Sequence, residues 1–556
     1  MNDLFASHRA HAATWTPGVV RGGRMTKWKG EAASYAPQLG TIIARAAFAL
    51  GTALASGLIL PGAAMAGTCA GGPTAWTCSG AASAGDTMQV VASAGSATVT
   101  TQSGFGITTA ASDAINIVSA GSLTFTDANG ATITGADGGI VARTNAAGLL
   151  TITSTGTATG IANDGIFASH SVLGTDLTVQ ANNTSGGRIG IIAGNNGTGA
   201  LSVTSTGSAR GTALYGISAV NSGTDLIVKA NSTWGGKTGI NARNYGTGAL
   251  SVTSTGTATG TAEDGIYAKN SAAGTDLTIA ANDTSGGLSG INATNLGTGA
   301  LSVTSNGTAT GAAYVGIWAN NSAAGTDLTV AANNASGGQY GIVAINRGKG
   351  ALSVTSSGTA AGMAYDGIFA YNFAAGTSLG VAAHDTSGEK YGIRARNLGT
   401  GALTVSSTGT ATGTVLDGIY ANNSRDGTDL TIVANNTSGH LNGIRARNYG
   451  KGSLSVTSTG TATGMIGEGI FGYNFAAGTS LSVAAHDTSG EKYGIRARNL
   501  GTGALTVTSS GAAAGTSKDG IFAFNSAAGT NVSVTANNAS GGLSGINATN
   551  LGTGAL

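Results

Sequence analysis

Proline, cysteine, aromatic residues and charge are all scarce in this chain. Four prolines, two cysteines, 5% aromatic and 9% charged residues in 556 leave little from which to build a string of ordinary globular domains. The hydrophobic fraction of 41% is mostly Ala and Val, so compact layers around a core of large side chains are hard to assemble. Disorder is excluded by the opposite signature, a net charge of only +2 and many Val, Ile and Thr residues. Collagen is excluded because glycine, although present 95 times, does not fall at every third position and proline is nearly missing. What remains is a repeated all-β architecture.

The first 66 residues differ from the rest. They hold six of the 26 Lys+Arg (Arg9, Arg21, Arg24, Lys27, Lys29, Arg45), three of the four prolines, and the apolar run 46–60. Pro61, Gly62 and the small-residue site Ala64-Met65-Ala66 follow. A basic region, a short apolar stretch and an A-x-A site predict an export signal over residues 1–66, cleaved between Ala66 and Gly67; a retained membrane anchor is the alternative. Met1 and Met25 serve equally well as initiators. Removing this segment leaves 20 Lys+Arg against 22 Asp+Glu, a net of −2 with no charge run. Such a chain has no electrostatic reason to seek nucleic acid or anionic lipid. Cys69 and Cys78, just behind the cleavage site, predict a disulfide closing a small loop in an exported protein. Two thiols with no nearby His are too few ligands for a metal, and no cofactor is expected.

The dominant signal is internal repetition. Leucines opening LTITS- or LSVTS-like segments stand at 150, 201, 250, 301, 352, 403, 454, 505 and 556, with spacings of 51, 49 and then 51 six times. A second series (Leu177, Leu226, Leu277, Leu328, Leu379, Leu430, Leu481, Val532) divides most 51-residue units into 27 plus 24, so the basic unit has about 25 residues. All 16 units from Leu150 onward carry Gly-Ile. Ala stands two residues after each Ile except at Gly472, and Asn two further on except at His170. Ile, Ala and Asn at i, i+2 and i+4 share one face of a strand, which predicts an inward row.

A unit this short cannot close its own core, but wound into a coil it stacks on a copy of itself. The prediction is a right-handed parallel β-helix in which Ile191, Ile217, Ile240, Ile266 and Ile291 form one ladder and Asn195, Asn221, Asn244, Asn270 and Asn295 another. Sixteen coils rise about 75 to 80 Å. The domains expected are the signal (1–66), a disulfide-stapled cap with the first coils (67–122), and the repetitive helix (123–556), which stops inside a repeat and reads as truncated.

Outward residues of the Gly-Ile strand alternate in chemistry. After Ile they read Phe369, Arg394, Tyr420, Arg445, Phe471, Arg496, Phe522. Two further they read Tyr371, Arg396, Asn422, Arg447, Tyr473, Arg498, Phe524. Guanidinium groups stacked between rings on neighbouring coils form either a self-complementary cover for a two-coil repeat or a recognition stripe for glycans or proteins.

No single catalytic constellation stands out. A β-helix lyase needs clustered acids for Ca²⁺ and a basic residue in one groove, whereas Asp164, Asp264, Asp366, Asp417 and Asp519 recur before Gly-Ile in alternate coils, a placement that favours turn chemistry. His384 with Asp385 and His486 with Asp487 belong to a duplicated 33-residue block (373–405 and 475–507) that differs only at Gly380 and Ser482. No G-x-S-x-G, H-E-x-x-H, P-loop or G-G-x-G-x-D motif occurs. Thr-x-Thr strings such as Thr255, Thr257 and Thr259 suggest an ice-binding array, but they recur mainly once per two coils.

The export signal ending AMA, the Cys69–Cys78 loop ending TCSG and the Gly-Ile-x-Ala-x-Asn coils together resemble the passenger region of a Gram-negative autotransporter or a related secreted β-helical adhesin. The resemblance covers nearly all of the chain after the signal. It implies an exported protein of the outer membrane, cell surface or extracellular space, a C-terminal outer-membrane barrel missing from this sequence, and a non-enzymatic stalk or adhesin. Partners would be glycans, cell-surface proteins, or other copies through coil edges. A polysaccharide-active β-helix enzyme is the alternative, since passengers of this fold include enzymes.

Overall fold

The computed structural model describes residues 66–556. The expected export segment, including Ala64, lies outside the described residues apart from Ala66, which bridges Ala81. Gly67 beside it is buried.

The described chain is all β and winds as a parallel solenoid. Each coil supplies one short strand to a nineteen-stranded sheet that runs from Gln89–Ser93 through Ile115–Ser119, Ile140–Thr144 and Ile166–His170 to Ile546–Asn550, every neighbour parallel. The rest of each coil forms a second sheet. Its early coils hold two separate strands, Leu123–Asp127 and Thr132–Gly135, whereas from Leu150–Gly160 onward these fuse into one long strand. Register is kept by like residues: Ile191 lies over Ile217, Ile217 over Ile240, Ile240 over Ile266 and Ile266 over Ile291. All five are fully buried, each gaining roughly 2 to 3 kcal/mol from burial. The Ala row keeps the lumen narrow. Glycine before Ile is required by close approach, because a Cβ on Gly392 would lie 2.7 Å from the carbonyl oxygen of Gly418 in the next coil.

The Asn row forms two runs of bonded amides, from Asn195 to Asn270 and from Asn295 to Asn550. Asn195 Nδ2 donates to Asn221 Oδ1 at 3.1 Å, Asn221 to Asn244 at 3.2 Å and Asn244 to Asn270 at 3.1 Å, and the pattern runs unbroken from Asn295 to Asn550. Each Asn also closes its own turn; Asn195 receives the Gly197 amide and donates to the Gly199 carbonyl. His170 takes the same place in its coil, with Nδ1 3.0 Å from Thr144 Oγ1.

Of the three residues by which 27 exceeds 24, one lies in the long strand and the other two in the turns on either side of the short strand. Long strands alternate between eleven residues, as in Leu301–Gly311, and ten, as in Leu328–Gly337. The mismatch is absorbed by a bulge. Where a ten-residue strand precedes an eleven-residue one, a side chain replaces the missing ladder bond: Asp283 Oδ1 accepts the Thr308 amide at 2.8 Å, Asn334 that of Thr359 at 2.9 Å, and Asp385 that of Thr410 at 2.8 Å. His384 Nε2 lies 3.6 Å from Asp385, and His486 3.7 Å from Asp487, on the exposed surface at this bulge.

The N-terminal end is covered by a hairpin. β1 (Thr68–Gly71) pairs antiparallel with β2 (Ala75–Ser79), and Cys69 faces Cys78 across it in a disulfide. β2 pairs parallel with Ala97–Thr101, so β1 shields the first edge of the long-strand sheet. The Cys69 amide donates to Gln89 Oε1 at 2.8 Å and ties the hairpin to the short-strand sheet.

Candidate functional site

The outward face of the short-strand sheet carries the Arg and aromatic residues. Because the strands are parallel and in register, Phe369 sits beside Arg394 and Tyr371 beside Arg396; farther along, Arg445 lies beside Phe471, Arg447 beside Tyr473, Arg496 beside Phe522 and Arg498 beside Phe524. Tyr420 stands between Arg394 and Arg445. All are half-buried, since each side chain lies against its neighbours.

The guanidinium groups stack on rings. Arg394 lies 5.1 Å from the Phe369 centroid, Arg396 5.2 Å from Tyr371, Arg445 5.6 Å from Tyr420 and Arg447 5.8 Å from Phe471. Arg498 is sandwiched between Tyr473 at 5.4 Å and Phe524 at 5.2 Å, and Arg496 between Phe471 and Phe522. Each contact contributes about 0.5 to 1 kcal/mol at such sites. The stripe begins on an aromatic platform, where Phe369, Tyr371 and Phe373 follow one another across a strand with centroids 6.0 and 4.7 Å apart.

The acids before Gly-Ile differ from the turn residues that the sequence suggested. The Asp of the TDLT turns instead ties its turn to that of the next coil, as when Asp276 Oδ1 accepts the Ala300 amide at 2.7 Å. Asp366 and Asp417, however, are buried beneath the stripe. Asp366 Oδ2 lies 3.9 Å from Arg394 Nη1, Asp417 Oδ2 3.9 Å from Arg445 Nη1, and Glu468 Oε1 3.2 Å from Arg496 Nη1. The signal was available as a constant offset of 28 residues between acid and Arg. It reads as a contact only once the acid is placed one coil earlier than its partner.

Burial pushes the Asp366 carboxyl up to about 6, against the pull of Arg394 and Lys390. Burial raises Asp417 as well, opposed by the Asn442 amide at 2.6 Å and by Arg445. A carboxyl whose folded value is raised contributes stability that is complete below its ordinary range, near pH 4, and is lost as the pH rises through about 6. The shift corresponds to roughly 3 kcal/mol. Asp366→Asn is therefore expected to raise the thermal midpoint at pH 7.5 and to leave it unchanged at pH 3.5. Asn442 already occupies the equivalent place before Gly443, so the amide fits there. Equal loss of stability at both pH values would refute this account.

No family model matches the chain, and no curated protein and no solved structure matches it.

The face therefore has to be read from its own chemistry. It offers planar cations stacked on ring faces, a surface for anions and for the apolar faces of sugars. The outer face of the long-strand sheet differs. There Thr257 is in register with Asp283, whose Oδ1 accepts the Thr308 amide, so rows of Thr are separated by acid or amide side chains.

Proposed function

We propose that the chain is the passenger region of an autotransporter-like protein, a non-enzymatic stalk and adhesin exported to the outer surface of a Gram-negative bacterium. The observation that carries this reading is the Arg and aromatic face, built by stacking equivalent coils and repeated along the axis. The solenoid holds that face rigid and extends it away from its point of attachment. The buried acids support a scaffold role, because each is assigned to an Arg of the next coil. Glycans or surface proteins are the partners this face suits.

The test is attachment. Purified protein on beads is expected to bind bacterial or host-cell surfaces or to aggregate the beads. Beads that do neither would count against the adhesin. Turnover of a polysaccharide, abolished by one substitution, would replace this reading with the enzymatic one.

A further inference from the structure

We infer that the stripe binds a linear polysaccharide acidic on every second sugar, laid lengthwise, with Arg396, Arg447 and Arg498 each taking one carboxylate or sulfate. This rests on the adhesin reading and names the ligand class of the same face.

The two rows of arginines on this face differ in their counter-charges. The row of Arg394, Arg445 and Arg496 is neutralised from below by Asp366, Asp417 and Glu468. Among the described residues Arg396, Arg447 and Arg498 form no direct ion pair, although the charge of Arg447 is felt by the buried Asp417, and each is held by rings. The Nε atoms of Arg396 and Arg498, like those of Arg394 and Arg496, are buried without a hydrogen-bond partner. Three half-buried cations with no direct salt-bridge partner among the described residues thus lie in one line on the outward face of the short-strand sheet.

Their spacing selects the ligand. The three arginines recur every second coil, about 9.6 Å apart. An extended chain of pyranoses advances by nearly the same distance per sugar as the solenoid does per coil. A polymer with one acid per two sugars therefore meets an Arg at each acid. The sugars between fall on the coils of Asn422 and Tyr473, where an amide and a ring face meet hydroxyls and C–H faces. A polymer acidic on every sugar would set alternate charges over those neutral side chains. Double-stranded DNA matches in sign only, since its phosphates follow a helical path.

The experiment uses hyaluronan oligosaccharides of four to ten sugars against the purified protein. Binding is expected to strengthen with length until about five or six sugars span Arg396 to Arg498, and to weaken with salt. Arg447→Gln should lose about tenfold in affinity, and Arg447→Lys less. Lys229→Gln, on the exposed face of the long-strand sheet, should change nothing. Unchanged hydrogen exchange in the Ile444–Asn448 strand shows that the variant is folded. Equal affinity for polygalacturonate, neutral cello-oligosaccharides or DNA would overturn the proposal, as would an unaffected Arg447→Gln. If the triple Arg→Gln variant abolishes cell attachment while hyaluronan fails to bind, the ligand class falls and the adhesin stands. If no surface is bound at all, both fall.

Discussion

Ile393→Asp is expected to open the solenoid locally, with a loss of about 5 kcal/mol at the coils flanking it. Ile393 is fully buried, stacked between Ile368 and Ile419 in a core that includes Leu379, Val381, Leu403 and Val405. The substitution removes the apolar contacts and places a carboxylate among buried apolar side chains. Because each coil touches only its neighbours, the damage should stay local. Hydrogen exchange is expected to accelerate in Ile368–Asn372, Ile393–Asn397 and Ile419–Asn423 and to remain slow in Tyr215–Asn221. Ile393→Val, which removes one methyl group, should lose about 1 kcal/mol. Full protection of the flanking coils in the Asp variant would show that like does not sit over like there.

The second large effect is expected at Asn397. Its amide makes four bonds: Oδ1 accepts from Asn372 Nδ2 at 3.0 Å and from the Gly399 amide at 3.1 Å, while Nδ2 donates to Gly401 O at 3.0 Å and Asn423 Oδ1 at 3.2 Å. Asn397→Ala leaves these partners in a buried turn with nothing in exchange. At about 1 kcal/mol or more for each unsatisfied group, the loss should approach 4 kcal/mol. Asn397→Thr should be milder, since Thr144 holds the same place in its coil. Chemical denaturation followed by exchange at Gly399 and Gly401 distinguishes the outcomes. An Ala variant as stable as the Thr variant would mean that the amide chain contributes little.

The architecture was legible because the inward positions are chemically monotonous. Ile, Ala and Asn at a two-residue period, recurring about every 25 residues, have no other way to be buried. The Arg and aromatic register followed from the same alignment, since position within a coil fixes which side chains become neighbours. The partners of Arg394, Arg445 and Arg496 were not legible, because Asp366, Asp417 and Glu468 look like punctuation before a turn until their coil is stacked under the next. The side-chain repair of the bulge was hidden for a related reason. Asn334 and Asp283 are polar residues in polar stretches, and only the unequal strand lengths show that each replaces a backbone bond.

Unequal strand lengths also set a rule for how such a gene changes size. A ten-residue strand is complemented by an eleven-residue one through a side chain that only the former carries, and the cations and rings on the opposite sheet alternate in step with it. Gain or loss of a single coil would put both patterns out of phase at the junction. Recombination that moves two coils restores them at once. Length variants of this protein should therefore differ by multiples of about 51 residues, and the near-identical blocks 102 residues apart have the form that such an exchange would leave.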